Sequence, residues 1–303
     1  MRSYRHKYLI QRIPPELQSS PVGNIIEAYD NKGDKSRGCM ISWLIFGAIF
    51  FGFITYGVFS TPSGFSRLPL IEQVFPLIVL LAIVVGFFVL LHRYNARQRI
   101  YIGQHGVKWE KYNSALGTVS QTSVIPWQQV RAVYSSKHRS YHSTNNDSTD
   151  EKYHETIRTL KLCDANDRTL LKIKGSYKNE REVEEMFSWI WFATKAVERQ
   201  WIALCMPGMI GQIQRGAQIS FFIKSNKTLF VRQDGIVIGE KFIARENLHV
   251  EWLSKDETLA LRDATEKRNV VQRVFNMKEI HLPVGEMPNG CLVFPLLKEA
   301  FKI

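Results

Sequence analysis

Three histidines, His138, His142 and His154, surround Asp147, Asp150 and Glu151 within a short polar stretch. Imidazole and carboxylate ligands in this mixture suit zinc or a related divalent ion. The stretch carries no hydrophobic periodicity, so no rigid element is expected to fix ligand geometry or orient the histidines from behind. A solvated His- and Ser-rich loop is the plainer reading, and no metal ligand is assigned. The phosphate loop G-x-x-x-x-G-K-[ST], the dinucleotide fingerprint G-x-G-x-x-G, the H-E-x-x-H helix and the G-x-S-x-G elbow are all missing from the chain. Glu184 and Glu185 adjoin one another, but on the solvent face of an expected helix. No catalytic or cofactor-binding residue and no cofactor is therefore expected. Cys39, Cys163, Cys205 and Cys291 form no CxxC pair, which favours a reducing compartment and buried thiols; Cys39, beside an apolar segment, has the setting of a palmitoylation site.

Charge is the broader signal. The chain has a formal net charge of +12, and Arg2, Arg5, Lys7, Lys137, Arg139, Lys152, Arg158, Lys161, Lys172 and Lys174 crowd its first half. Such a distribution is attracted to anionic lipid headgroups, by about 1 kcal/mol per residue near the surface. Nucleic-acid binding would need aromatics beside a basic groove, whereas the aromatics here fall at core-type positions. Trp127, Trp189, Trp191, Trp201 and Trp252 follow strand or helix periodicity; they belong to the core on this reading, with a ligand pocket as the alternative.

Two apolar segments must position whatever follows them. From Val74 to Leu91 every position except Pro76, Ala82 and Gly86 is Leu, Ile, Val or Phe, worth about 5–9 kcal/mol in favour of bilayer insertion. Residues 41–59 form a second candidate with Trp43 and Tyr56 near its ends. The connection carries Pro62, Gly64 and Pro69, so an antiparallel transmembrane hairpin is expected. Lys32, Lys35, Arg37, Arg93, Arg97 and Arg99 flank it on one side and Arg67 alone lies in the connection, which places both termini in the cytoplasm of a two-span membrane protein. Ala48 with Gly52 and Ala82 with Gly86 provide close-approach pairs, either for the hairpin seam or for a homo-oligomer.

Beyond Arg99 the pattern changes to short runs rich in β-branched and aromatic residues, separated by turn signals. Strands are expected at Ile100–Ile102, Val107–Tyr112, Val119–Ile125, Val130–Tyr134, Ile157–Leu162 and Leu170–Ile173, with a polar loop at 135–152. A helix follows, capped by Asn179 and carrying Val183, Phe187, Ile190, Thr194, Val197 and Trp201 on one stripe. The order then recurs, with strands at Ile219–Ile223, Thr228–Val231, Ile236–Ile238, Lys241–Ala244, Leu248–Leu253, Leu259–Leu261, Val270–Phe275 and Ile280–Leu282 before a helix at Leu292–Phe301.

Gln104-His105-Gly106-Val107 matches Gln233-Asp234-Gly235-Ile236 at an offset of 129 residues, and Leu160-Lys161-Leu162-Cys163-Asp164 matches Leu259-Ala260-Leu261-Arg262-Asp263 at 99. The first copy thus carries about thirty extra residues. A strand series closed by one helix suits a small bent sheet or partly open barrel.

These motifs, with Val124-Ile125-Pro126-Trp127-Gln128-Gln129-Val130, resemble those of uncharacterised bacterial membrane proteins with tandem pleckstrin-homology-like domains. The resemblance covers about residues 99–303, and the second copy departs from it in having Ile243-Ala244-Arg245 in place of Ile125-Pro126-Trp127. It implies a fold and a membrane location but no reaction.

The expected fold is a membrane-anchored α+β arrangement of a transmembrane hairpin and two such domains, each closed by a C-terminal helix. Its parts are a cytoplasmic segment 1–38, the hairpin 39–94, domain one 98–205 and domain two 206–303. The expected function is a non-enzymatic scaffold or sensor at the lipid bilayer. It presents these domains to a cytoplasmic protein or peptide, with anionic headgroups as further partners and no nucleic acid. The alternative is a metal-dependent regulator or enzyme using the His-rich loop.

Overall fold

The computed structural model describes residues 10, 21–31, 86, 96–113, 117–143, 151–177, 188–223, 227–253, 257–266 and 279–303. Among them the chain forms antiparallel sheets and two α-helices. A four-stranded sheet has the order β1 (Ile25–Asp30), β2 (Ala96–Gly103), β3 (Gly106–Asn113), β4 (Val119–Pro126). A three-stranded sheet follows, β5 (Ala132–Ser143), β6 (Glu151–Cys163), β7 (Thr169–Tyr177), and then helix α1 (Trp189–Gln214). The second half repeats the scheme. It has four strands β8 (Ile219–Ile223), β9 (Lys227–Arg232), β10 (Gly235–Ile238) and β11 (Lys241–Ala244), then three strands β12 (Leu248–Leu253), β13 (Thr258–Asp263) and β14 (Ile280–Pro283), then α2 (Val293–Phe301).

The expected two-helix transmembrane hairpin, and with it the multi-pass membrane location with cytoplasmic termini, is corrected by this architecture. Among the described residues no helix is long and apolar enough to cross a membrane. The longest, α1, has 26 residues but carries Lys195, Glu198 and Arg199, and its apolar side chains serve the protein core. Residues 41–59 and 74–91, the basis of the hairpin, lie outside the described residues apart from Gly86, as do Cys39, Ala48, Gly52 and Ala82.

The N-terminal segment is not merely a tail, since β1 joins the first sheet. This strand is unexpected from the sequence: Ile25 to Asp30 is a single short run with no hairpin partner nearby, because residues 31–95 separate it from β2. Asn24 C=O accepts from Gln104 N–H at 3.1 Å and Val22 C=O from His105 N–H at 2.9 Å. Tyr29 stacks on Phe192 of α1, with centroids 6.2 Å apart, and Arg199 of α1 bonds both carboxylate oxygens of Glu27 at 2.8 and 2.9 Å.

The polar stretch 135–152 is also corrected. Most of it belongs to the β5–β6 hairpin, whose strands have 12 and 13 residues against 6 each in β12 and β13. The extra length of the first half is therefore largely strand. Alternation explains why the sequence conceals it: Val133 and Ser135 turn inward with Leu162 and Leu160, while the intervening positions face outward and are polar.

Helix α1 starts later than expected and runs further, so position 205 lies inside it. Ser188 is the N-cap, its Oγ accepting from Trp191 N–H at 3.2 Å; Asn179, Glu184 and Glu185 lie outside the described residues. Of the expected stripe, Ile190, Thr194, Val197 and Trp201 are buried, and Val183 and Phe187 lie outside the described residues. Among the second-half strands, Val270–Phe275 lies outside the described residues.

The duplicated motifs occupy equivalent places. Trp127 N–H donates to His105 C=O at 2.9 Å, and Arg245 N–H donates to Asp234 C=O at 2.9 Å, so Ile243-Ala244-Arg245 takes the position of Ile125-Pro126-Trp127.

The chain divides into two compact units, one of residues 1–29, 100–109 and 123–303, the other of 30–99 and 110–122. The larger holds one continuous core, from Ile100, Leu160 and Val197 in the first half to Leu229, Leu261 and Leu296 in the second. In the smaller, buried Asp30 accepts from Tyr112 OH at 2.7 Å and Arg99 Nε at 3.2 Å, and the Arg99 guanidinium lies 3.6 Å over the Tyr112 ring. Burial and then the Asp30 contact push the Tyr112 phenol up to about 12.

Candidate functional site

The larger unit contains a cavity of about 240 Å³. Trp252 of β12 and Phe294 of α2 form one wall, with ring centroids 5.9 Å apart, and Pro295 and Cys291 continue it. Ser135, Val284 and Gly285 form the floor, and Lys195, Glu198 and Glu257 the polar side. Trp252 remains 38% exposed, so the aromatic wall is open to an incoming group.

The polar side is a closed charge network. Arg158, 1% exposed, donates from Nη2 to Glu257 Oε1 at 2.7 Å and from Nη1 to Ser135 Oγ at 3.3 Å. Lys195 Nζ lies 2.7 Å from Glu198 Oε2 and 3.7 Å from Glu257 Oε1. Two cations and two carboxylates thus compensate one another. Burial opposes ionisation of Glu257, but the charges of Arg158 and Lys195 and the Arg158 hydrogen bond outweigh it and hold the carboxyl below its ordinary range. Glu257 also has a left-handed backbone, φ 49°, which costs a non-glycine residue about 1–2 kcal/mol. Burial raises the Cys291 thiol far above its usual range, so it acts as an apolar wall.

Beside this cavity the second half inserts a segment into the first. Asn289, left-handed at φ 58°, donates its N–H to Val133 C=O at 2.9 Å. Its Oδ1 accepts from Val133 N–H and from the Trp201 indole N–H, both at 3.0 Å, and its Nδ2 donates to Arg131 C=O at 2.8 Å. A Cβ at Gly285 would lie 2.5 Å from Ser135 O, so only glycine permits this approach to β5. Residues 285–289 therefore act as an internal peptide on the outer edge of β5, against α1.

Strand β12 holds the corresponding place in the second half. Val133 faces Leu162 and Val250 faces Leu261; Ser135 faces Leu160 and Trp252 faces Leu259, and Leu160–Asp164 is the copy of Leu259–Asp263. Among the described residues β12 lies at the edge of its sheet, paired with β13. Ala264 N–H donates to Asn247 C=O at 2.7 Å. Bonded and non-bonded pairs alternate in an antiparallel ladder, so Val250 and Trp252 turn their N–H and C=O groups to the outer edge, while the Leu248 N–H is taken by Arg245 C=O at 3.4 Å.

The residues singled out in the sequence are distributed differently. His138 is exposed in β5 opposite Ile157, and His154 lies in β6 at the register shift. Among the described residues no group of three or more His, Cys, Asp or Glu is placed to hold a metal ion; Asp147, Asp150 and the side chains of His142 and Glu151 lie outside them. Arg158 belongs to the interior and not to a basic surface, whereas Lys161, Lys172 and Lys174 share the outer face of the β5–β7 sheet. Of the tryptophans, Trp252 lines the cavity, while Trp127 and Trp201 pack together in the core at 6.0 Å. A larger hollow of about 960 Å³ opens at β14 and the ends of the β8–β9 and β10–β11 hairpins. Its lining carries the carboxylates Glu240 and Glu279 beside Lys227 and Lys241, and Lys241 is held by Glu266 at 2.7 Å, a poor setting for an anionic headgroup.

Glu257, Asn289, Cys291 and Phe294 have no signal of their own in the sequence as site residues. Only Pro288-Asn289-Gly290, a turn signature, marks one of them. Comparison with family models, with curated proteins and with solved structures finds no match to the chain.

Proposed function

We propose that the protein is a non-enzymatic binding scaffold that captures an extended segment of a protein partner along the β12 edge. The observation that carries this reading is the pairing of outward-facing backbone groups at Val250 and Trp252 with an open aromatic cavity beside them. Strand addition uses both features: the backbone ladder supplies affinity and a side-chain pocket supplies selectivity. The occupied β5 edge supports the reading, since the same fold position already accepts a peptide segment in this chain. The repeated order of four strands, three strands and a helix supports the pleckstrin-homology-like resemblance. In the Trp252 cavity, of about 240 Å³, one side chain fits better than a drug-sized ligand, which occupies about 300–1,000 Å³.

Selection of random dodecapeptides from a display library against the full chain tests this. Amide hydrogen exchange with a selected peptide bound should slow at Val250 and Trp252. Protection confined to other strands overturns the assignment.

A further inference from the structure

The geometry points to a ligand class for this edge: a peptide with a bulky apolar side chain, aromatic or branched, at the residue entering the cavity, and with no amide or charged group there. The inference rests on strand-edge capture at β12 and follows from the difference between the two equivalent edges.

At β5 the small Ser135 lets the backbone of Gly285 come close, and the bound residue is an asparagine read by the Trp201 indole and the Val133 backbone. At β12 a tryptophan stands where Ser135 stands, so an incoming segment meets an aromatic wall. The indole that reads Asn289 comes from α1, whereas α2 places Phe294 against Trp252 at 5.9 Å. The polar groups of the cavity are engaged with one another: Lys195 with Glu198, and Glu257 with Arg158. An amide entering there competes with these ion pairs for its hydrogen bonds. A hydrocarbon side chain instead covers Trp252, Phe294 and Pro295. The cavity adjoins the internal contact through Ser135, Val284 and Gly285, so the two bound segments would lie on one continuous surface.

Peptides selected from the dodecapeptide library should share one aromatic or branched apolar position. Replacing that residue by asparagine should weaken binding to the full chain about tenfold or more. Trp252→Ser and, separately, Phe294→Ala should flatten this preference, so a folding defect in one variant does not decide the result. N-methylation of the peptide at the amide facing Val250 should abolish binding to the wild type and both variants. Selected peptides that lack a shared apolar position yet remain sensitive to N-methylation overturn the ligand class and leave edge capture standing. A library that yields no binder, or binders indifferent to N-methylation, overturns both.

Discussion

Arg158 and Glu257, 99 residues apart, form a 2.7 Å ion pair in the interior of the larger unit, joining β6 of the first half to the β12–β13 turn of the second. Glu257 is 8% exposed and Arg158 1%, so each would strand the other's charge away from water if removed. Arg158→Ala and Glu257→Ala should each cost about 3–5 kcal/mol in urea unfolding. A double replacement by Met and Leu should recover much of that loss. Single variants within about 0.5 kcal/mol of wild type would show the pair to be dispensable.

The same pair makes stability sensitive to acid. The folded Glu257 carboxyl titrates below its ordinary value, so its contribution is fully present above the unfolded pKa of about 4.3 and is lost as pH falls through the depressed folded value. Thermal midpoints measured from pH 7 down to pH 3 should fall most steeply below the ordinary glutamate range. Glu257→Gln should be less stable at neutral pH and show a shallower acid slope. An unchanged slope in that variant assigns the acid loss to other carboxylates.

Asn289 separates side-chain bonding from backbone strain. Asn289→Gly keeps the left-handed turn and the backbone bond to Val133 C=O but removes the side-chain bonds to Val133 N–H, Trp201 and Arg131, at an expected cost of about 1–3 kcal/mol. Asn289→Ala should lose about 1 kcal/mol more, since alanine resists that backbone region. Tryptophan fluorescence during unfolding would report both, and equal stability of the two variants would remove the backbone contribution.

Two tyrosines should ionise late. Tyr112 is raised to about 12 by burial and by Asp30, and Tyr134 to about 12 by burial and by Asp167. Their neutral forms are the stabilised ones, so the associated stability holds below the ordinary value near 10 and is lost as pH rises through about 12. Absorbance titration near 295 nm should show a late fraction that shrinks in Asp30→Asn. A titration with all tyrosines near 10 contradicts both environments.

Local pattern alone determined much of the scaffold. Ile219–Ile223, Lys241–Ala244 and Leu248–Leu253 have the same bounds in the sequence reading and the structure, because alternation and turn residues act over a few positions. The stripe from Ile190 to Trp201 was legible for the same reason, and the duplicated motifs marked the repeat. Hydropathy marked two apolar segments as a hairpin, but no helix among the described residues is long and apolar enough to cross a membrane. The polar β5–β6 hairpin was hidden because an outward strand face looks like a loop when its inward positions include Ser135 and Thr156.

The site itself depended on tertiary structure. Arg158 read as one more surface cation until the turn at Glu257 enclosed it, and Trp252 read as core until β12 took an edge. The β5 edge is filled by Asn289 meeting Val133, 156 residues away. Such pairings are made by chain crossing and exclusion of water, and neither composition nor periodicity carries a record of them.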